Sequence, residues 1–262
     1  MNFAKLINWL NGRHETASLS ERLWQETLSA SPVIDRLNVE EKARLRKLTE
    51  AFLTEKEFAT AGDLELTDAM CVSIAAQGCL PILNLGLDYY RGWVGIIVYP
   101  DEFIVPRVVE DEIGLVHEFD DIASGEAWEG GPLLISWSDA QMAGDGYNVI
   151  IHEFAHKLDM RNGEPDGIPA LPHGISRNEW ETVLLSAYDD FCAKVEYAEE
   201  QGELSENTLA IDPYASENPA EFFAVLTETF FEAPAIMESV YPALFTLFCR
   251  YYRQDPLSRE SS

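Results

Sequence analysis

The spacing of apolar and polar positions predicts helices in the first third of the chain. Asn38 and Glu41 stand just before an amphipathic stretch, in the pattern of a capping box that opens a helix running to about residue 56. The face expected to be buried carries Leu45, Leu48 and Phe52. A second apolar segment covers residues 67–78. Near the start, a small helix packed on the domain is predicted by the spacing of Phe3, Leu6, Ile7 and Leu10.

The middle of the chain changes to the pattern of short strands. Residues 93–99 form a run rich in β-branched and aromatic side chains. Residues 103–109 form a second one, although Pro106 restricts it to a sheet edge or a turn, because proline cannot donate to a strand ladder. A third, apolar run contains Leu133–Ser136, and we expect it to be the sheet edge along which an extended substrate lies.

The second half of the chain returns to helical spacing. Helices are predicted over residues 147–160, 177–197, 219–231 and 242–253. Strands between two helical regions are typical of an α+β fold. Because no linker-like stretch divides the chain, we expect one domain, 1–262, in which a helical N-terminal lobe (1–90) precedes the core (91–262).

Charge and cysteine content narrow the classes of partner and location. The 262 residues include 18 Lys and Arg against 46 Asp and Glu, and the net charge of −28 would repel a phosphate backbone. We therefore expect no nucleic-acid partner. No apolar run is long enough to span a membrane. The four cysteines form no CxxC pair and are expected to be free thiols in a reducing compartment, which predicts a cytoplasmic protein.

One short motif carries candidate chemistry. His152 and His156 are four residues apart, so on a helix both imidazoles lie on one face and can bind a single Zn²⁺ ion. Glu153 is adjacent and can act as a general base on the water that such an ion activates. The neighbouring positions are almost all apolar, which favours a buried helix over an exposed one with incidental histidines. We expect one zinc ion per chain.

The third protein ligand of such a site is less clear from the sequence. Asp159 shares a face with His156, but a carboxylate one turn on more often orients a histidine than binds the metal. His173 stands alone in a loop, where a histidine is usually just solvated. Glu221 is the better candidate, in the first turn of a predicted helix. The same position suits a capping box with Asn218, and the pattern supports ligand and cap about equally.

The chain also resembles a known family. Residues 150–159, which contain both histidines, and residues 80–87, 113–117, 218–226 and 252–257 resemble the Mlc titration factor A family. The resemblance runs from about residue 20 to the end. It implies a cytoplasmic zinc metallopeptidase of the gluzincin kind, with a zincin-like core and aminopeptidase-like activity on small peptides. It also implies a partner, Mlc, the repressor of glucose-uptake genes.

The resemblance assigns roles to individual residues. It implies that His152 and His156 are zinc ligands with Glu221 as the third. It makes Glu153 the base, and Tyr214 a hydrogen-bond donor to the oxyanion; without it, Tyr214 would be read as a loop aromatic packed on the core. The leading hypothesis is a zinc-dependent peptidase. The alternative is a non-catalytic binding module that sequesters a transcription regulator, with zinc structural or vestigial.

Overall fold

The computed structural model describes residues 18–110, 116–144, 146–202 and 209–260. The helix predicted near residues 3–10 and part of the family-like segment 113–117 lie outside these ranges.

The N-terminal part consists mostly of helices that follow the apolar periodicity. They are α1 (Glu21–Ala30), α2 (Pro32–Asp35), α3 (Val39–Glu55) and α4 (Asp68–Cys79). The predicted capping box is present at the start of α3. The Asn38 side chain accepts a hydrogen bond from the Glu41 N–H at 2.9 Å, and the Glu41 carboxylate accepts one from the Asn38 N–H at 3.1 Å.

Short strands occupy the middle of the chain and also appear earlier than the sequence pattern predicts. They are β1 (Glu57–Thr60), β2 (Gly95–Tyr99), β3 (Phe103–Glu110), β4 (Val116–Ala123), β5 (Gly125–Ala127) and β6 (Leu133–Ser136). β3 and β4 form an antiparallel ribbon in which Pro106 lies opposite Asp120. Both strands of a two-stranded ribbon are edges, so the ribbon tolerates a proline, as expected.

The other strands form one sheet with the order β1-β2-β6-β5. β1, β2 and β6 are parallel, and β5 is antiparallel to β6. The prediction that Leu133–Ser136 forms the sheet edge is wrong, because β6 lies between β2 and β5, and β5 is the edge. All residues of β6 are buried, which is the usual state of a central strand covered on both faces.

The C-terminal half is helical, close to the predicted bounds. Its helices are α5 (Trp137–Ala140), α6 (Val149–Asp159), α7 (Arg177–Glu200), α8 (Pro219–Glu232), α9 (Pro234–Val240), α10 (Pro242–Tyr252) and α11 (Leu257–Glu260). Helices around a small sheet make the fold α+β, as predicted. The four cysteines are free, also as predicted. No described helix has the combination of length and hydropathy that crossing a bilayer requires.

Aromatic packing fixes the position of α6. The Phe154 ring centroid lies 5.1 Å from that of Tyr90, 5.6 Å from that of Phe52 and 5.9 Å from that of Trp93. α4 passes so close that a Cβ on Gly78 would lie 2.4 Å from Phe154 Cζ. These residues therefore pack against one side of α6 and leave another side of the helix for its polar residues.

Candidate metal centre

The two histidines of the motif lie on α6, whose start is fixed by Asn148. The Asn148 side chain accepts a hydrogen bond from the Ile151 N–H at 3.0 Å and caps the helix. His152 and His156 follow one turn apart, and their Nε2 atoms are 3.1 Å from each other. Both imidazoles therefore present a nitrogen to the same small volume.

The start of α8 brings Glu221 to the same place. Asn218 caps this helix with its own side chain, which accepts from the N–H groups of Ala220 at 2.9 Å and Glu221 at 3.0 Å. The Glu221 carboxylate is turned toward α6. Its Oε2 lies 3.1 Å from His152 Nε2 and 3.3 Å from His156 Nε2. Between cap and ligand, the alternatives that the sequence left open, this geometry favours the ligand.

One group of side chains could therefore hold a metal ion. The ligand atoms of His152, His156 and Glu221 all lie within 4.8 Å of one another. No other trio of histidine, cysteine or carboxylate side chains in the described ranges meets this condition. Imidazole nitrogen and carboxylate oxygen are suitable donors for a divalent transition metal such as zinc.

The two weaker candidates from the sequence lie outside this group. His173 is exposed. Asp159 is fully buried, and its Oδ2 accepts a hydrogen bond from the Gly167 N–H at 2.7 Å. Burial raises the pKa of Asp159 to about 7. Asp159 thus connects α6 to the backbone of the following loop.

A carboxylate that the sequence analysis did not assign holds the first histidine. Glu228 Oε1 lies 2.7 Å from His152 Nδ1, and Glu228 Oε2 accepts from the Asn148 N–H at 2.5 Å. A carboxylate on the second ring nitrogen fixes the orientation and tautomer of a metal-binding histidine. In the sequence, this role is indicated only by the separation of seven residues between Glu221 and Glu228, which places both on one face of α8.

Glu153, the predicted base, lies beside this group. Its side chain is buried, and Oε2 has no hydrogen-bond partner among the described residues. Burial raises the pKa of Glu153 to about 7, against the opposing effect of His152 and His156. A carboxylate whose pKa lies near neutrality is suited to accept and return a proton.

Tyr214 lines a cavity of about 790 Å³ together with His152 and Glu153. It belongs to the short 3₁₀ turn Pro213–Ser216, where its N–H donates to Asp212 Oδ1 at 2.9 Å. Its ring is half exposed, and the centroid lies 6.2 Å from that of His152. The structure thus places every predicted site residue at one cavity or at the histidine pair beside it.

Comparison with known proteins relates this arrangement to a group of relatives. Mlc titration factor A of Salmonella arizonae is 40% identical over 257 residues, covering 97% of this chain and 99% of the relative. The proteins of that name from Shigella dysenteriae serotype 1 and Escherichia coli (strain K12 / DH10B) are each 39% identical, covering 97% of this chain and 94% of the relative.

A family model matches nearly the whole chain as well. The model describes glucose-regulated metallo-peptidases of the M90 type and matches residues 6–253. The matched range includes both histidines, Glu153, Tyr214 and Glu221. The long match and the near-complete coverage of the relatives show that the chain belongs to the glucose-regulated metallo-peptidase M90 family.

Proposed function

We propose that the protein is a zinc-dependent peptidase, aminopeptidase-like on small peptides, that binds one zinc ion per chain. The observation that carries the proposal is the convergence of His152 Nε2, His156 Nε2 and Glu221 Oε2 next to the buried Glu153 carboxylate. The gluzincin arrangement implied by the sequence resemblance has the same ligands and base. A zincin-like core, with α6 packed beside the edge strand β5, belongs to this proposal.

The residues present fit a zinc ion. Two imidazole nitrogens and one carboxylate oxygen are a usual ligand set of catalytic zinc, which keeps a further position open for water or substrate. The Nε2 atoms of His152 and His156 face each other at 3.1 Å, a separation that a shared cation would make favourable. Glu228 on His152 Nδ1 supplies the outer hydrogen bond that such a ligand needs.

The chain's own residues would then divide the work of hydrolysis. When bound, zinc supplies a Lewis acid that polarises a carbonyl and acidifies water. Glu153 takes a proton from the attacking water and delivers it to the leaving amine. Tyr214, which lines the same cavity, donates a hydrogen bond to the carbonyl oxygen as negative charge develops.

The cavity also supports an aminopeptidase-like preference. Asp121 and Asp212 line it together with Glu153 and His152. The lining residues include no lysine or arginine in the described part of the chain. A free α-ammonium group of a short peptide would be attracted to such a surface, whereas a free carboxylate would be repelled.

Turnover of a small peptide substrate by zinc-loaded protein tests this function. Glu153→Gln should keep one zinc per chain and lose at least about 100-fold in kcat, because the base is removed while the ligands remain. Glu217→Gln, an exposed glutamate near Glu221, is the matched control and should retain wild-type turnover. Near-normal activity of Glu153→Gln would rule out this mechanism.

A second function is favoured by the name of the relatives. Proteins 40% identical to this chain are called Mlc titration factor A, which suggests that they bind Mlc. We propose that this chain likewise binds an Mlc-type transcriptional repressor in the cytoplasm, with or without peptidase activity. Binding of purified repressor by Glu153→Gln would separate the two functions. A variant that binds the repressor while turnover is lost supports both, and absence of binding by the wild-type protein contradicts the second.

A further inference from the structure

We propose that Gly125 is a positioning residue for Glu153. It lies on the edge strand β5, and the missing side chain at this point lets the Glu153 carboxylate occupy its place beside His152 and His156. The inference rests on the proposed peptidase function, in which Glu153 is the base. It adds a residue that carries no functional group of its own.

The contact between the two residues is very close. A Cβ added to Gly125 would lie 2.4 Å from Glu153 Oε1, 2.5 Å from Glu153 Cγ and 2.7 Å from Glu153 Cδ. Separations below 3.0 Å are essentially never made by real Cβ atoms. All three of the nearest atoms belong to Glu153, so a methyl group here would meet the base before any other group.

Backbone conformation does not explain the glycine. Several glycines of the chain have positive φ angles that favour this residue, but Gly125 is not one of them. Its backbone is that of a strand, paired in register with Ile135 of β6. Glycine is a poor strand former, so at this position its contribution is the space it leaves.

Hydrogen bonds at both ends of β5 hold the strand in place, so it would not move away from a larger side chain. Beyond the pairing with β6, the Ser136 N–H donates to the Ser124 carbonyl at 2.7 Å. At the other end of the hairpin, Lys157 Nζ donates to the carbonyls of Trp128 at 2.6 Å and Gly131 at 2.9 Å. Lys157 lies one turn after Glu153 on α6, so the strand is tied to the same helix face that carries the base.

Glu153 is the partner that would move. No hydrogen bond to a described residue holds its Oε2, and its Oε1, Cγ and Cδ atoms occupy the space that a side chain at 125 would need. A methyl group at 125 would push it aside while the ligands stay in place. Displacement of a catalytic group by about 1 Å can cost about 100-fold in rate.

The first test is turnover by zinc-loaded Gly125→Ala. We expect kcat to fall about 100-fold, with KM within about threefold of wild type and zinc still at one per chain. Gly95→Ala is the control, because Gly95 lies in β2 of the same sheet and its added Cβ would come no closer than 3.4 Å to Pro132 Cβ. A kcat within threefold of wild type, or a loss of kcat that follows loss of zinc, overturns the proposal.

A double-mutant cycle tests the contact without any need for activity. Gly125→Ala should lower Tm in the wild-type background and have a smaller effect in Glu153→Ala, because the side chain that the methyl group meets is then absent. An equal fall in Tm in both backgrounds, or failure of the double variant to fold, overturns the proposal. Because this cycle measures stability alone, it remains decisive even if the wild-type protein hydrolyses no peptide.

Discussion

Glu228 contacts His152 through the ring nitrogen that faces away from the other candidate ligands. Its second oxygen accepts from the Asn148 N–H, so one buried carboxylate joins the cap of α6 to the candidate metal centre. The Asn148 side chain extends this network by donating to Gln77 Oε1 at 2.9 Å and to Glu232 Oε1 at 2.7 Å. Residues of three helices thus determine the orientation of one imidazole.

Glu228→Gln should therefore weaken zinc binding without abolishing it. An amide offers a single acceptor oxygen where two donors now point, so the orientation of His152 is lost in part. We expect zinc affinity to fall roughly 10- to 100-fold, as measured by competition with a chelator. Glu217 is exposed just before α8, and the control variant Glu217→Gln should bind zinc as the wild type does. Equal affinity of the two variants would contradict the positioning role of Glu228.

The sequence located the histidines and Glu153 because their spacing is local. It left Glu221 between cap and ligand, because both roles begin with the same position in the first turn of α8. The structure shows that Asn218 caps without help from the Glu221 side chain. The role of Glu228 depends on where α8 crosses α6. The spacing of residues within one helix does not predict that crossing, so Glu228 was not assigned from the sequence.

The most constrained contact between elements joins α6 to the β5–β6 hairpin. Lys157 is buried, and its ammonium donates to the two carbonyls of the hairpin turn while lying 4.9 Å from the ring centroid of Trp93. Both carbonyls would lose a charged donor if this side chain were replaced. Burial lowers the pKa of Lys157 to about 8, which shows the cost of desolvating the charge.

Lys157→Met should destabilise the fold, since it keeps the apolar stem but removes the charged donor to the carbonyls of Trp128 and Gly131. The expected loss in the free energy of unfolding is about 2–4 kcal/mol, from two charge-assisted hydrogen bonds. Denaturant unfolding measures it. Lys47→Met, at an exposed position of α3, should change stability by no more than about 0.5 kcal/mol. A similar small change for Lys157→Met would show that the hairpin is held by other contacts.

Helices were easier to predict than strands at the scale of elements. α6, α8 and α10 lie within two residues of their predicted bounds, because capping residues and apolar periodicity are local signals. β5 is the short segment Gly125–Ala127, which has little strand propensity of its own and depends on pairing with β6. β6 was wrongly predicted to be the sheet edge for a related reason: the order of strands depends on contacts between distant parts of the chain, which local sequence patterns do not reveal.

At the scale of the whole molecule, the N-terminal part and the site are packed as one unit. A continuous cluster of buried apolar side chains includes Leu19 near one end and Tyr252 near the other. β1 pairs with β2 in the same sheet, so the N-terminal part contributes a strand as well as helices. These contacts join the N-terminal part to the rest of the described chain, and a single domain stays a prediction. With a net charge of −28, the chain surrounds the candidate metal centre with an excess of negative charge, which would attract a cation.

A crystal structure of the zinc-loaded protein, with the metal located by anomalous scattering, would show the ligands of the proposed zinc site. We expect one zinc per chain, bound by Nε2 of His152 and of His156 at about 2.0–2.1 Å and by a Glu221 carboxylate oxygen at about 2.0–2.2 Å. Glu153 should lie near the open position without binding the metal. Zinc held by other residues, or a Glu221 side chain turned back to cap α8 while the metal is bound, would contradict the proposed zinc site.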